Sequence, residues 1–281
     1  WNDYELIDAG GGRKLERWGK LITIRPEVQA YFHSGLPFSD WSKMAHWEFI
    51  EKKGKKGVWK QLIKDAPRSQ TISYGRLKFH IELTKFKHLG LFPEQRKNWD
   101  YINENVNSDH RFLNLFAYTG AASCAARNRG ADTIHVDSVK PMITWAKKNM
   151  ELSRLLNIRW VHEDALKFLN REVKRGNKFQ SIIMDPPAWG IGAKGERWKL
   201  EDQIDALMSA SAGVLSEDGF LILNTYSPII ESDTLKEMTS MYFPDRKSQV
   251  NQLKMNTKTS KNLYFGELVR VEKKNKEAPN L

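Results

Sequence analysis

The residues best suited to chemistry stand at the ends of four successive apolar segments. The first segment ends in Ala117–Gly120, where a glycine lets the following helix start close to a bound molecule. The second ends in Asp137, 17 residues after Gly120, and its carboxylate suits the two hydroxyls of a ribose. The third ends in Glu163–Asp164, which suit an amino group such as adenine N6, and the fourth ends in Asp185–Pro187. A single acid of this kind is usually a helix cap or a solvated loop residue, but four segments in order predict one binding site.

The fourth segment, "IIMDPPAWG" (182–190), has an unusual end. Neither proline can donate a backbone hydrogen bond, and the ring of each fixes its φ angle. Asp185-Pro186-Pro187 is therefore expected to form a stiff, extended corner that exposes carbonyl oxygens and directs one carboxylate outward. This corner suits a site that grips a ligand.

A regular alternation of strands and helices positions these residues from about residue 111 onward. Predicted strands cover 112–118, 133–138, 158–164, 179–187 and 219–227, and two more cover 248–257 and 264–273. Predicted helices lie between them: one ends at Gly130, one begins at Pro141, one runs to about Arg175, one covers about 199–215, and one follows the fifth strand. The pattern predicts an α/β fold with a mostly parallel seven-stranded sheet and helices on both faces.

A nicotinamide-dependent dehydrogenase is the main alternative for such a sheet, because it also uses a glycine turn and an acid about 20 residues later. It requires G-x-G-x-x-G after the first strand, whereas "AYTGAA" has one glycine. A literal match, "GIGAKG" (Gly190–Gly195), follows the fourth strand instead, and no acid-ended strand follows it at the required distance. We interpret this match as a flexible loop on the substrate side.

Five segments carry a family resemblance: "HLGLFPEQRKNW" (88–99), "NLFAYTGAAS" (114–123), "HVDSVKPMITWAKKN" (135–149), "HEDALKFL" (162–169) and "IIMDPPAWG" (182–190). In them the chain resembles class I S-adenosylmethionine-dependent methyltransferases, specifically the bacterial enzymes that act on large-subunit (23S) ribosomal RNA. The resemblance extends over residues 86–230 and implies a Rossmann-like catalytic domain that binds S-adenosyl-L-methionine.

The same resemblance implies roles for individual residues. Asp185, Pro186 and Pro187 would face the methyl-transfer centre. Gln95 and Arg96 would lie near the methionine end of the cofactor, Asp137 near the ribose, and Asp164 with Ala165 near the adenine. The full set of cofactor-binding residues that it implies is Gln95, Arg96, Phe116, Tyr118, Thr119, Gly120, Asp137, Ser138, Asp164, Ala165 and Asp185.

The residues around the Asp-Pro-Pro corner bear on the atom that is methylated. Amino methyltransferases with this corner carry an aromatic residue directly after it, whereas here Ala188 takes that place and Trp189 follows. Relatives that methylate cytosine C5 use a cysteine after the fifth strand, and here Pro228 stands at that place in "NTYSPI". The only thiol, Cys124, lies in the first helix of the sheet domain, where apolar packing is expected. We therefore expect methylation of a base nitrogen rather than of cytosine C5, with a 2′-hydroxyl target left open.

Three side chains are predicted to contact the acceptor. Trp189 would stack on a base, and Tyr226 would line the substrate pocket from the end of the fifth strand. Arg197, with Trp198 beside it, would reach phosphate and base as the loop 190–198 closes. Packing beneath the loop is the alternative for Tyr226, and a solvated loop is the alternative for Arg197 and Trp198.

The N-terminal part of the chain has a different pattern. Short alternating stretches such as "KLITIRPEV" and "RLKFHIELT" predict a small β-rich domain over residues 1–85, followed by the methyltransferase domain over 86–272 and a polar tail over 273–281. The net charge of +11 favours a polyanionic partner, and we expect RNA; the resemblance implies that this RNA is ribosomal. Two lysine-rich segments, 51–64 and 254–262, are flanked by aromatic residues that could stack on bases or are solvated hairpin tips.

Composition excludes several classes of protein. One cysteine excludes an intrachain disulfide or a cysteine-cluster metal site, and the seven histidines are scattered, so no metal is expected. No apolar run reaches the length of about 20 residues that spans a bilayer, and we expect a cytoplasmic enzyme. The expected function is methyl transfer to a base of ribosomal RNA. The alternatives are a protein or small-molecule acceptor, or a catalytically inactive RNA-binding module.

Overall fold

The computed structural model describes residues 1–52, 57–191 and 197–274, and the chain groups into two compact units. The first unit contains Trp1–Arg96 and Lys254–Phe265, and the second contains Lys97–Leu253 and Gly266–Leu281. The division into domains at residues 85 and 272 stays a prediction, and this grouping differs from it because residues 86–96 and 254–265 join the first unit.

The first unit is β-rich, as predicted. Its five-stranded sheet contains, in spatial order, β1 (Tyr4–Gly10), β2 (Arg13–Trp18), β3 (Leu21–Pro26), β4 (Trp47–Glu51) and β5 (Gly57–Gln61). β3 and β4 are parallel, and the other neighbours are antiparallel. The remaining elements are helix α1 (Phe38–Met44), which the sequence pattern did not predict, a separate hairpin of β6 (Ser69–Tyr74) and β7 (Leu77–Glu82), and a 3-10 helix (Pro93–Gln95).

A two-residue turn joins β1 to β2. Gly11 and Gly12 have φ angles of 56° and 73°, and a type I′ turn requires positive φ at both of its central positions. Gly10 pairs with Arg13 across the turn, so the turn sets the register of the hairpin.

An ion pair lies inside the first unit. Arg25 donates hydrogen bonds of 2.7 and 2.8 Å to the two carboxylate oxygens of Glu16, and the Tyr4 hydroxyl donates to the same carboxylate at 2.8 Å. All three side chains are buried. The buried charge of Glu16 is therefore matched by a bidentate partner, which is the condition under which a buried carboxylate is tolerated.

The second unit is built on a seven-stranded sheet. Its strands, in spatial order, are β10 (Ile158–His162), β9 (Asp132–Asp137), β8 (Arg111–Leu115), β11 (Phe179–Met184), β14 (Leu215–Thr225), β16 (Asn262–Lys274) and β15 (Arg246–Asn256). The first five of these are mutually parallel, and β16 is antiparallel to β14. The predicted fold class, a mostly parallel seven-stranded α/β sheet beside a β-rich part, is thereby confirmed.

Helices and one short hairpin complete this unit. The helices are α2 (Arg96–Asn105), α3 (Ala121–Asn128), α4 (Lys140–Leu152), α5 (Ala165–Lys174), α6 (Leu200–Val214) and α7 (Ser232–Tyr242), and the hairpin is β12 (Trp189–Ile191) with β13 (Arg197–Lys199). Apolar residues of α5, α6 and α7 form one continuous core with those of the central strands, among them Leu169, Leu207 and Leu235. Buried, apolar strands of this kind are typical of a parallel sheet covered by helices.

Several predicted boundaries are wrong in detail. The strand predicted over 112–118 ends at Leu115, and the strand predicted over 179–187 ends at Met184. The ends of the loop predicted over 190–198 pair as a hairpin, and Gly192–Glu196 lie outside the described residues. β16 continues to Lys274, into the predicted tail, while 53–56 and 275–281 also lie outside the described residues.

Candidate active site

The carboxyl ends of the parallel strands bring the predicted site residues of the second unit together. β8 lies between β9 and β11, and Leu115 pairs with Val136 on one side and Met184 on the other. The residues that follow these strands are Phe116, Asp137 and Asp185, which therefore lie at one edge of the sheet. The strand order reverses between β8 and β11, and ligands of open α/β sheets bind at this kind of switch point.

The loop after β8 has a strained backbone. Phe116, Tyr118 and Gly120 have φ angles of 54°, 50° and 82°, and such values are rare for residues other than glycine. The left-handed backbone at Phe116 ends β8 three residues earlier than the apolar pattern predicts, because a left-handed residue cannot continue a strand. Non-glycine residues held in this region cluster at active sites and ligand-binding loops.

The strained loop is fixed by hydrogen bonds to its neighbours. Tyr118 donates its backbone N–H to Oδ2 of Asp137 at 2.8 Å, and Asn149 donates its side-chain amide to the carbonyl of Thr119 at 2.9 Å. A Cβ atom on Gly120 would lie 2.9 Å from the Cβ of Ala146 in α4. Gly120 therefore allows both the left-handed turn and the close approach of α4.

Asp137 is buried at the end of β9, and both of its carboxylate oxygens accept backbone hydrogen bonds. Oδ2 accepts from Tyr118, and Oδ1 accepts from the N–H of Val139 at 2.8 Å. Burial raises the pKa of Asp137, and these two N–H groups oppose part of that rise. A carboxylate oxygen has a second lone pair, so Asp137 can still accept hydrogen bonds from a ligand. Ser138, which follows it, accepts a hydrogen bond of 3.0 Å from His162 through its carbonyl.

The two acids after β10 have separate local partners. Glu163 forms an ion pair with Arg171 at 2.6 Å. Asp164 caps α5, because its Oδ1 accepts the backbone N–H of Lys167 at 2.9 Å, and Ala165 begins that helix. The cap accounts for Asp164 structurally and leaves its other oxygen for a ligand.

The Asp-Pro-Pro corner follows β11, and the hairpin of β12 and β13 holds it. The indole N–H of Trp198 donates to the carbonyl of Pro187 at 2.7 Å, and the N–H of Leu200 donates to the carbonyl of Ala188 at 3.0 Å. The Trp198 ring also lies 5.1 Å from the Phe116 ring, centre to centre, at an angle of 55°. Trp198 thus joins the corner to the strained loop, and its predicted contact with the acceptor stays a prediction.

Two of the three predicted acceptor residues, Trp189 and Arg197, follow this corner closely in the chain. Trp189 begins β12 directly after Ala188, and 51% of its surface is exposed. Tyr226 follows β14, the strand next to β11, and 38% of its surface is exposed. Arg197 is exposed in β13. The sheet order therefore places Tyr226 at the same edge as Asp185, and the two aromatic residues have surface available for a ligand.

Gln95 and Arg96 belong to the first unit. Gln95 is buried and ends the 3-10 helix, and Arg96 is exposed and begins α2. Their predicted role near the methionine end of the cofactor stays a prediction.

Sequence reasoning missed several polar residues that build the site. Asn149 lies with Ile143 and Ala146 on the buried face of α4, at a spacing of three residues, and its amide reaches Thr119. Glu201, in the first turn of α6, accepts a hydrogen bond of 2.7 Å from Ser227, which lowers the pKa of Glu201. A polar residue inside an apolar helical stripe was the available signal for Asn149, and Glu201 gave no comparable signal.

The single thiol is unsuited to nucleophilic attack. Cys124 is fully buried in α3, and burial raises its pKa to about 12. A thiol attacks as the thiolate, which is scarce at neutral pH when the pKa is that high. Among the described residues, no group of three or more His, Cys, Asp or Glu side chains is placed to hold a metal ion. A search of the described helices for one long and apolar enough to cross a membrane finds none.

Comparisons with known proteins agree on a family. A family model described as "Conserved hypothetical protein 95" matches residues 95–257. A solved structure titled as a SAM-dependent methyltransferase from Agrobacterium tumefaciens is 31% identical, with a TM-score of 0.90, and the match covers 98% of this chain and 91% of that one. The chain belongs to this family of S-adenosylmethionine-dependent methyltransferases.

Other methyltransferases are similar over part of their length. Ribosomal RNA large subunit methyltransferase K/L of Pseudoalteromonas translucida is 34% identical over 161 residues, which are 56% of this chain and 22% of the relative. Ribosomal RNA large subunit methyltransferase K of Neisseria meningitidis serogroup B is 30% identical over 167 residues, which are 58% of this chain and 46% of the relative. This methyltransferase thus spans less than half the length of these curated relatives.

Proposed function

We propose that this methyltransferase transfers a methyl group from S-adenosyl-L-methionine to a base of RNA, with ribosomal RNA as the acceptor. The observation that carries the proposal is the Asp185–Pro187 corner at the switch point of the sheet, beside the strained loop after β8. The names of the ribosomal RNA methyltransferases to which the chain is similar support this class of acceptor. With ribosomal RNA as its acceptor, the protein is proposed to work in the cytoplasm.

The cofactor fits the groups that the sheet edge presents. Asp137 would hold the ribose with the lone pairs that its backbone partners leave, and the loop of Phe116, Tyr118, Thr119 and Gly120 would line the pocket. Asp164 and Ala165, at the start of α5, would contact the adenine, and Ser138 would lie beside the ribose. Gln95 and Arg96 are proposed at the methionine end. When bound, S-adenosylmethionine supplies a methyl group on a positively charged sulfonium.

Asp185 and Pro186 are proposed to orient the acceptor. An amino nitrogen that donates its N–H groups to the Asp185 carboxylate and the Pro186 carbonyl directs its lone pair away from both. Methyl transfer needs the nucleophile in line and about 3 Å from the methyl group, so positioning supplies much of the rate. The Asp185 carboxylate can also accept the proton that the nitrogen loses. Trp189 and Tyr226 would hold the base ring, and Arg197 would contact phosphate.

A base nitrogen is proposed as the methylated atom. Attack on cytosine C5 requires a thiolate, and the Cys124 thiol is buried with its pKa raised to about 12. Pro228 stands where a nucleophilic cysteine would follow the fifth parallel strand. A Cys124→Ser variant that folds is expected to keep full activity.

Label transfer from methyl-tritiated S-adenosylmethionine tests the proposal. The acceptors are total RNA and total protein from cells that lack this protein, and the RNA product is digested to nucleosides. One N-methylated nucleoside is expected. Label in 5-methylcytidine would refute the choice of atom, and label only in protein, or in neither pool despite cofactor binding, would refute the RNA acceptor.

A matched pair of variants tests the corner. Asp185→Asn removes the carboxylate with little change of shape, and Glu217→Gln makes the same change at an exposed acid near the start of β14. Asp185→Asn is expected to bind cofactor normally and to lose about 100-fold or more in turnover, within the range of about 10²–10⁴ for a lost general base. Full turnover of Asp185→Asn would overturn the role of this acid.

A further inference from the structure

The net positive charge of this methyltransferase is concentrated in one of its two units. The first unit contains 21 Lys and Arg against 11 Asp and Glu, a net charge of +10. The second, larger unit contains 24 against 23, a net charge of +1. The second unit carries the Asp-Pro-Pro corner, so the charge that attracts a polyanion and the corner proposed to hold the acceptor base belong to different units.

Five exposed cations lie along one part of the first unit, which we call the basic edge: Lys52, Lys60, Lys64, Arg68 and Lys85. β5, which contains Lys60, is the outermost strand of the five-stranded sheet among the described residues. Lys52 follows β4, and Lys64 and Arg68 lie in the connection from β5 to β6.

Contacts between these segments hold the segments that carry the cations against one another. The indole N–H of Trp59, beside Lys60, donates to the carbonyl of Thr84, beside Lys85, at 2.9 Å. The Arg68 guanidinium lies 4.9 Å from the ring centre of Trp47 in β4. Trp47 pairs with Gln61 of β5, next to Lys60. The two strands, the connection and the segment after β7 are therefore packed against one another, with Lys60 on the face of β5 opposite to Trp59 and Gln61.

The charges of the basic edge are available to a partner. Within the described residues, none of the five cations forms an ion pair with a carboxylate, although Glu51 and Asp65 are exposed in the same stretch of chain. This differs from Arg13 of the same sheet, which pairs with Glu48 at 3.0 Å.

Apolar surface accompanies the charge. Phe86 follows Lys85 and is 47% exposed. Ile50 and Val58 pair across β4 and β5, and both are exposed. A surface that binds RNA without sequence preference has two components: cations that follow the phosphate backbone and exposed aromatic rings on which bases stack.

We infer that the basic edge binds the phosphate backbone of the RNA acceptor at nucleotides some distance along the RNA strand from the target nucleotide. The inference rests on the proposed RNA acceptor and extends it, because it assigns recruitment of RNA to the first unit. Phosphate contacts of this kind supply affinity and position but carry no sequence information. Selection of the nucleotide then falls to the corner in the second unit.

A competing explanation exists for lysines on an outer strand. Exposed lysines at a sheet edge discourage pairing with the edge of another molecule. That role requires only charge, and it predicts no effect of these lysines on RNA binding. The two explanations therefore differ in a measurable way.

The test uses the full chain and two matched triple variants. Lys60→Gln/Lys64→Gln/Lys85→Gln removes three charges from the basic edge. Lys148→Gln/Lys174→Gln/Lys247→Gln removes three charges from exposed positions of the second unit. Binding to a fluorescein-labelled single-stranded RNA of mixed sequence is measured over a series of salt concentrations, together with cofactor affinity and melting temperature.

The basic-edge variant is expected to bind RNA about 10- to 50-fold more weakly at physiological salt. The slope of log affinity against log salt should fall in magnitude by about 2, which corresponds to three lost phosphate contacts at about 0.7 each. The second-unit variant should bind RNA like the unmodified chain. The unmodified chain and both variants should have the same cofactor affinity and the same melting temperature.

Four results would overturn the inference. Unchanged RNA binding in the basic-edge variant would favour edge protection, and equal weakening in both variants would show that only total charge matters. Equally tight binding of poly-glutamate, lost in the same variant, would assign the basic edge to an acidic protein. Failure of the unmodified chain to bind any RNA would remove the proposed RNA acceptor itself, and the first three results leave that acceptor standing.

Discussion

Replacing Trp198 by phenylalanine isolates one contact of the proposed acceptor site. The substitution keeps an aromatic ring 5.1 Å from Phe116 and removes the indole N–H, whose hydrogen bond to the Pro187 carbonyl measures 2.7 Å. Pro187 belongs to the corner that is proposed to orient the acceptor. Loss of this bond should let the corner move without deleting a group that touches cofactor.

The size of the effect follows from the kind of bond that is lost. A neutral hydrogen bond contributes about 0.5–1.5 kcal/mol net. If the bond holds the corner in its reactive position, this energy appears in the barrier to methyl transfer, as a loss of about 2- to 13-fold in kcat. Trp198→Ala also removes the ring pair with Phe116, about another 0.5–1.5 kcal/mol, so its combined loss should be about 5- to 150-fold.

Single-turnover methyl transfer at saturating acceptor is the assay, with cofactor affinity measured in parallel. Trp160→Phe is the matched control, because it makes the same change in β10 of the same unit, where the indole N–H forms no hydrogen bond with another described residue. Trp198→Phe should lower the rate of transfer and leave cofactor affinity unchanged, and Trp160→Phe should leave both unchanged. An unaltered rate in Trp198→Phe would refute the argument that Trp198 positions the corner.

Three further outcomes are expected. Gly120→Ala should destabilise the fold by about 1–3 kcal/mol in denaturant titrations and weaken cofactor binding, because a side chain is strained at φ 82° and its Cβ meets α4. Cofactor affinity should fall as the pH drops toward the raised pKa of Asp137, because protonation removes acceptor lone pairs, and calorimetry on Asp137→Asn should show weak binding without that dependence. Arg25→Ala should cost about 3–5 kcal/mol of unfolding free energy by leaving the buried Glu16 carboxylate without its bidentate partner, whereas Arg76→Ala at an exposed turn should cost less than about 0.5 kcal/mol.

The meeting of Asp137 and Asp185 at one edge of the sheet was predictable from the sequence, because it depends on where parallel strands end. The carboxyl ends of parallel strands all lie at the same edge of a sheet. Asp137 and Asp185 must therefore lie at that edge if their segments are strands. The order of strands adds that β8 lies between the two. The shared edge follows from the apolar segments and from the residue that ends each of them, whereas the order of the strands comes from the structure.

The partners of these residues were not predictable, because each partner is chosen by packing. Glu163 and Asp164 are adjacent in sequence, yet one pairs with Arg171 and the other caps α5. Trp198 reaches the carbonyl of Pro187, eleven residues earlier, only because β12 and β13 pair as a hairpin. A sequence pattern marks such residues as polar or aromatic and leaves their contacts open.

The return of residues 254–265 to the first unit was hidden for a related reason. Asp8 is buried in β1, and its carboxylate accepts hydrogen bonds from the backbone of Gly35 and Leu36 and from the hydroxyl of Thr259. The link to Thr259 joins residues 251 positions apart. Contacts at that separation have no local signature, so the lysine-rich segment 254–262 gave no sign of the unit to which it belongs.

The loop after β8 explains why Asp137 has to be considered part of the fold as well as part of the proposed cofactor site. Left-handed backbone at Phe116 and Tyr118 costs about 1–2 kcal/mol at each residue, and the Tyr118 N–H bond to Asp137 offsets part of that cost. The hydrogen bond from Asn149 to the Thr119 carbonyl offsets a further part of that cost within the same loop. Because these bonds are internal to the protein, the loop is shaped before a ligand arrives, and ligand binding does not have to supply its ordering energy. A change at Asp137 is therefore expected to lower cofactor affinity in two ways, through loss of the proposed acceptor for the ribose and through loosening of the loop. A substitution of Asn149 separates the two contributions, because it loosens the loop and leaves the Asp137 carboxylate in place.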